Sequence, residues 1–149
     1  LPDVAANPGC HWLIVGGWLS VVAALLHIAC IFGGPDWYRF FGAGEGMARA
    51  AARGDLRPTL ITLAIGAVLL VWAAYAFSGA GSLPRLPLLR TGLIIITAIY
   101  LLRALLFVPL HFWRPQHSDS FAIWSSLIVL VYGAVYAVGT FKAWRHLAP

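Results

Sequence analysis

Four apolar runs, each long enough to cross a bilayer as one helix, occupy most of this 149-residue chain. A crossing helix needs about 20 predominantly apolar residues, because the hydrocarbon core is about 30 Å thick and an α-helix rises about 1.5 Å per residue. The runs at 12–34, 58–78, 91–113 and 121–141 meet that length. Within lipid a segment has to satisfy its own backbone polar groups, so such runs have to be helical. Aromatic residues gather at their ends, Trp12, Phe77, Trp113, Phe121, Phe141 and Trp144 among them, as interfacial belts do. The expected fold is all-α: a polytopic membrane protein, one integral domain over 1–149, built as a four-transmembrane-helix bundle.

Composition agrees about the solvent. At 61% hydrophobic and 10% charged, with a mean hydropathy of +0.85, a chain of this size cannot hide its apolar surface in a water-soluble core. The net charge of +5 comes from Arg and Lys scattered through loops and ends. No polybasic stripe forms, so nucleic acid is excluded as a partner. Membrane lipids are the expected partners, and a homo-oligomer or a larger membrane complex stays open. The first run is too long for a signal-peptide core and has no basic segment ahead of it, so it reads as a retained span. Met47 is the only methionine, so the initiator is expected upstream of Leu1. Cys10 and Cys30 sit on one expected helix about 30 Å apart and cannot pair; without a CxxC motif, Cys30 is expected to be a small packing residue.

Four crossings put both termini and the 79–90 loop on one side, and the 35–57 and 111–120 loops on the other. Arg85, Arg90, Lys142 and Arg145 lie on the first side, against Arg39, Arg49, Arg53, Arg57 and Arg114 on the second. By count the positive-inside rule is nearly balanced. The terminal side is almost free of acids, and on that basis the termini are assigned to the cytoplasm of a bacterial inner membrane. In the 35–57 connection, Gly33, Gly34 and Pro35 stop the first helix and EGMARAAAR has helical composition. A short interfacial helix is predicted there, either as an amphipathic connector in the headgroups or as a lid carrying Asp36 or Glu45 inward.

Arg103 is the anomaly, because it lies inside ITAIYLLRALLFVPL. An arginine at a helix centre costs about 2.5–3.5 kcal/mol on insertion scales and usually faces a bundle interior or cavity. At helical spacing Thr97, Tyr100, Arg103, Phe107 and His111 form one stripe. Gly16, Ser20, Ala24 and His27 form another on the first helix, and Ser125, Tyr132 and Tyr136 align on the fourth. The depths of His27 and Arg103 put both toward the side of Asp36, Glu45, Asp55, His111, His117 and Asp119. The candidate ligand-binding set is therefore Arg103, Tyr100, His27, His111, Asp36 and Glu45, with His27 the one candidate acid/base. Two roles are open to Arg103: holding an anion, or pairing structurally with a loop carboxylate. The tyrosines are expected to be packing residues whose hydroxyls find partners within the bundle.

Other chemistry finds little support. His111, His117 and Asp119 have the composition of a metal set, but Pro115 breaks any helix between them and a solvated loop is the expectation. A haem b between His27 and His111 would need two facing histidines at one depth, which these are not; no cofactor is expected. There is no GxSxG, HExxH or Walker loop, and no carboxylate pair within a span.

The runs HIACIFGGPDWYRFFGAGEGMARAAARGDLRP, IYLLRALLFVPL and FAIWSSLIVLVYGAVYAVGTFKAW resemble those of small bacterial inner-membrane proteins of similar length. The resemblance covers nearly the whole chain, implies four membrane helices and carries no activity, so it assigns no catalytic residue. The thiol pair of quinone-linked disulfide enzymes and the intramembrane acids of sterol isomerase-like bundles are both missing. The functional expectation is a non-enzymatic or accessory membrane protein binding an anionic lipid headgroup or small acidic ligand around Arg103. Two alternatives stand beside it: a membrane enzyme using His27 with Arg103 as anion holder, and a structural subunit of a membrane complex.

Overall fold

The backbone has few options where the first apolar run ends. Gly34 adopts φ 69° and ψ −156°, a conformation that L side chains avoid, and Pro35 has no N–H to continue the helical ladder. Together they break the helix where the sequence predicts, although helical turns resume as far as Phe40. In the computed structural model, which describes residues 7–106, 113 and 120–148, the elements run α1 (Cys10–Phe40), α2 (Glu45–Ala52), α3 (Arg57–Gly79), α4 (Leu89–Leu105) and α5 (Ser120–Lys142). There is no strand among the described residues, so the all-α expectation holds.

The sequence predicts four crossing helices; among the described residues three are long and apolar enough. They are α1, α3 and, from Phe121, α5, with mean hydropathies of 2.2, 2.3 and 2.0 in their most apolar windows. The exception is α4, described over 17 residues, or about 25 Å against a hydrocarbon core of about 30 Å. The remainder of that apolar run, 107–112, lies outside the described residues. Only 28%, 28% and 22% of the three apolar windows is buried within the protein, so lipid or another chain has to cover the rest. This is the architecture of an integral membrane protein.

The chain divides into two compact units, Val21–Leu70 and Leu1–Ser20 with Val71–Pro149. In Val21–Leu70 the predicted short helix exists as α2, eight residues long. Its Ala48 is buried in a cluster with Cys30 and Tyr38, and Phe41, Met47 and Ala51 pack against that cluster. Cys30 is thus the packing residue expected of it. Thr62 Oγ1 donates to the Tyr38 hydroxyl at 3.3 Å, tying α3 to the same cluster. The Arg57 N–H donates to Asp55 Oδ1 at 3.0 Å, and Pro58, the second residue of α3, costs nothing because first-turn N–H groups have no helical acceptor.

In the other unit α4 and α5 pack on each other. Leu89, Leu93, Ile96, Tyr100 and Ala104 form the buried side of α4. The end carrying the chain termini is tied by side chain to backbone bonds. Asn7 Nδ2 donates to Gly79 O at 3.0 Å and its Oδ1 accepts from Gly9 N at 3.0 Å, which caps the start of α1. Ser78 Oγ donates to Pro84 O at 2.9 Å and accepts from Leu86 N at 3.0 Å.

Candidate functional site

Hydroxyl groups from three helices meet in the interior of the unit formed by Leu1–Ser20 and Val71–Pro149. Ser20 of α1 and Tyr136 of α5 are both 0% exposed and Tyr100 of α4 is 6% exposed. Ser20 Oγ lies 2.7 Å from the Tyr136 hydroxyl and 3.0 Å from that of Tyr100. Tyr136 also donates to Trp72 O of α3 at 3.3 Å, and a carbonyl can only accept. That commits the Tyr136 proton, so Ser20 donates to Tyr136 and Tyr100 donates to Ser20. One proton order, Tyr100 to Ser20 to Tyr136 to Trp72 O, therefore satisfies the chain. Tyr132 donates separately to Leu19 O at 2.9 Å. Rings close the cluster edge to face, Trp72 on Tyr100 at 4.9 Å and Tyr100 on Tyr132 at 5.5 Å. Every hydroxyl proton is spent on a protein acceptor, so the cluster ties helices together and offers no free acid or nucleophile.

Of the residues selected from the sequence, Tyr100 belongs to this network and makes no bond to Arg103. Arg103 is exposed, not buried, on the side of α4 that also carries the exposed Ile99 and Leu106. Among the described residues it has no hydrogen bond or ion pair. Taking about 100° per residue, the five buried positions of α4 span an arc of about 80°, and Arg103 falls about 20° beyond its edge. The i, i+3 step that aligned it with Tyr100 is 60° short of a full turn, which is enough to turn a side chain out of a packed face.

His27, Asp36 and Glu45 lie in the Val21–Leu70 unit. His27 Nδ1 is 2.7 Å from Ala23 O of its own helix, so Nδ1 carries the ring proton of the neutral form and Nε2 keeps its lone pair. Asp36 and Glu45 are brought together by Arg39, which sequence reading did not select: Arg39 donates to Asp36 Oδ1 at 2.9 Å and to Glu45 Oε2 at 2.9 Å. Arg49 donates to Glu45 Oε1 at 3.1 Å. Neither carboxylate is turned inward as a lid would require; their side chains are 91% and 49% exposed. The bonds from Arg39 first and Arg49 second hold the Glu45 carboxyl down at about 2. His111, His117 and Asp119 lie outside the described residues. Among the described residues no group of three His, Cys, Asp or Glu is placed to hold a metal ion.

Sequence reading also passed over the terminal end, whose bases it used only to assign sides. There the C-terminal turn of α5 is held by two arginines from the preceding connection and helix. Arg85 donates to His146 O at 3.3 Å, to Leu147 O at 2.6 Å and to Ala148 O. Arg90 donates to Trp144 O at 2.8 Å and stacks over the Trp144 ring at 4.1 Å. Helices leave their last carbonyls unpaired and favour cations beside them, which was the available signal. No family model, curated protein or solved structure matches the chain.

Proposed function

We propose that this is a non-enzymatic membrane protein whose four helices cross the bilayer, α4 included, and whose Arg103 engages the phosphate of an anionic lipid headgroup. The observation that carries this is the outward placement of Arg103 beside the exposed Ile99 and Leu106. In a membrane that side of α4 meets acyl chains, where an unpaired guanidinium is unfavourable by several kcal/mol. With Leu89 at one edge of the hydrocarbon, Arg103 lies about 21 Å along α4, leaving about 9 Å to the opposite headgroups. An arginine that snorkels along its helix covers most of that distance. The polar pocket around Arg103 gives way to contact with the lipid itself. Four crossings place both termini on one face, which we assign to the cytoplasm of a bacterial inner membrane.

The exposed arginine equally suits a subunit of a complex, with an acidic residue of another chain as its partner. Native mass spectrometry of the protein released from phosphatidylglycerol-containing nanodiscs separates the two. Arg103→Met is expected to lose one retained anionic lipid per chain, and Arg103→Lys to keep it. Full lipid retention by Arg103→Met, with loss of a co-purifying chain, would replace lipid by the subunit. An enzyme built on His27 is supported only by an Nε2 that has no partner among the described residues, and its test is whether His27→Ala changes the lipids extracted from cells expressing the protein.

A further inference from the structure

We infer that the C-terminal end of α5 holds a second anionic phospholipid, its phosphate seated between Lys142, Arg145 and His146. This site does not rest on Arg103. An open cavity of about 580 Å³ lies there, lined by Pro8, Phe141, Lys142, Trp144, Arg145 and His146. Its size falls in the range of about 300–1,000 Å³ that small-molecule sites occupy.

The roles of the bases at this end divide cleanly. Arg85 and Arg90 are occupied by the carbonyls of the terminal turn, which fixes the backbone that carries Arg145 and His146. Arg90 also sets the orientation of Trp144, one wall of the cavity, by stacking on its ring. Lys142, Arg145 and His146, by contrast, line the cavity, and their side chains make no hydrogen bond or ion pair among the described residues. Among the described residues the Lys142 side chain interacts with the Trp12 ring, 5.5 Å from its ammonium. Among the described residues no carboxylate lines the cavity, so two permanent cations and an imidazole share its lining without an anion. An ammonium and a guanidinium offer several donors at different angles, which suits the tetrahedral oxygens of a phosphate better than the flat pair of a carboxylate.

The rim identifies the phosphate as lipid-borne. Phe141 is 82% and Trp144 42% exposed, one on each side of Lys142 in sequence, at the C-terminal end of a helix apolar enough to cross a membrane. Aromatic side chains and bases at that position sit at the headgroup level, with the ring toward the acyl chains and the cation toward phosphate. A free phosphate would gain nothing from the aromatic rim, whereas a phospholipid fills both parts.

The test uses the full chain in nanodiscs of phosphatidylcholine with a minor fraction of phosphatidylglycerol, read by native mass spectrometry. Wild type is expected to retain two anionic lipids per chain. Lys142→Gln with Arg145→Gln should lose one, with about thirtyfold weaker retention, as two surface charges are removed. Arg103→Met should lose the other, so failure at one site is distinguishable from failure at the other. Lys142→Arg with Arg145→Lys keeps the charge and should keep the lipid, and an unchanged melting curve excludes misfolding. Retention unaffected by the double Gln substitution overturns the inference. So does displacement of the lipid by millimolar inorganic phosphate, which would make this a site for the free anion.

Discussion

The proton order in the Ser20 network makes a prediction that simple bond counting does not. Ser20→Ala removes two hydrogen bonds and leaves the Tyr100 hydroxyl, 6% exposed with its ring among Trp72 and Tyr132, without an acceptor. A stranded buried donor costs about 1–3 kcal/mol. Tyr100→Phe removes one bond and strands nothing, because the Ser20 proton already goes to Tyr136; interhelical bonds in membranes are worth about 0.6 kcal/mol on average and at most about 1.7. Tyr136→Phe removes two bonds, from Ser20 and to Trp72 O, and costs about twice as much, with the Ser20 hydroxyl free to turn to a carbonyl of its own helix. The double variant Ser20→Ala/Tyr100→Phe lacks the same bonds as Ser20→Ala but has no stranded hydroxyl. It is therefore expected to equal or exceed the stability of Ser20→Ala alone, although it carries one more substitution. The measurement is reversible unfolding in mixed micelles of dodecyl maltoside and increasing dodecyl sulfate, followed by circular dichroism. If the double variant is less stable than Ser20→Ala by the full Tyr100→Phe increment, the two sites are independent and the assigned proton order is wrong.

Close packing predicts opposite signs for two glycine substitutions. A Cβ at Gly9 would lie 2.4 Å from Gly139 O and 2.6 Å from Ala143 N, both backbone atoms, so Gly9→Ala forces α1 and α5 apart and is expected to cost at least about 1–3 kcal/mol in the same assay. At Gly46, inside α2, nothing lies within 4 Å, and Gly46→Ala should stabilise by about 0.5–1 kcal/mol. Acid titration tests the Arg39 cluster. The Glu45 carboxyl is held at about 2 against 4.5 for the free side chain, a lowered value, so its contribution is complete above about 4.5 and disappears as pH falls through about 2. Amide exchange in α2 should quicken across that window and the change should be absent in Glu45→Gln; because both partners are exposed, high salt should weaken it.

Much of the fold was legible because it depends on run length and local stereochemistry. The break at Gly34 and Pro35, the α2 helix and the packing role of Cys30 all follow from residue type at one place in the chain. The expectation that the tyrosine hydroxyls find partners within the bundle also held for Tyr100, Tyr132 and Tyr136, since a buried hydroxyl in a nearly water-free interior has to be satisfied. The identity of those partners was not legible. Ser20 meets Tyr100 and Tyr136 across 80 and 116 residues of sequence, and which stripes face each other depends on helix rotation that no single helix encodes.

Arg103 shows where helical periodicity stops being informative. The same stripe arithmetic that put Tyr100 inside put Arg103 beside it, yet the buried arc is set by the neighbours that fill it, and Arg103 falls just outside. Hydrophobicity gives no help in deciding, because nearly every other position on α4 is apolar and the lipid-facing and protein-facing sides look alike in composition. At the terminal end the difficulty is reversed. Five bases in a short stretch of space look equivalent by charge, and only the backbone acceptors within reach separate Arg85 and Arg90, which hold the turn, from Lys142, Arg145 and His146, whose side chains have no such acceptor among the described residues. A cation in this chain is thus defined by what already occupies its donors. On that criterion the outward side of α4 and the end of α5 are places to look for an anionic lipid.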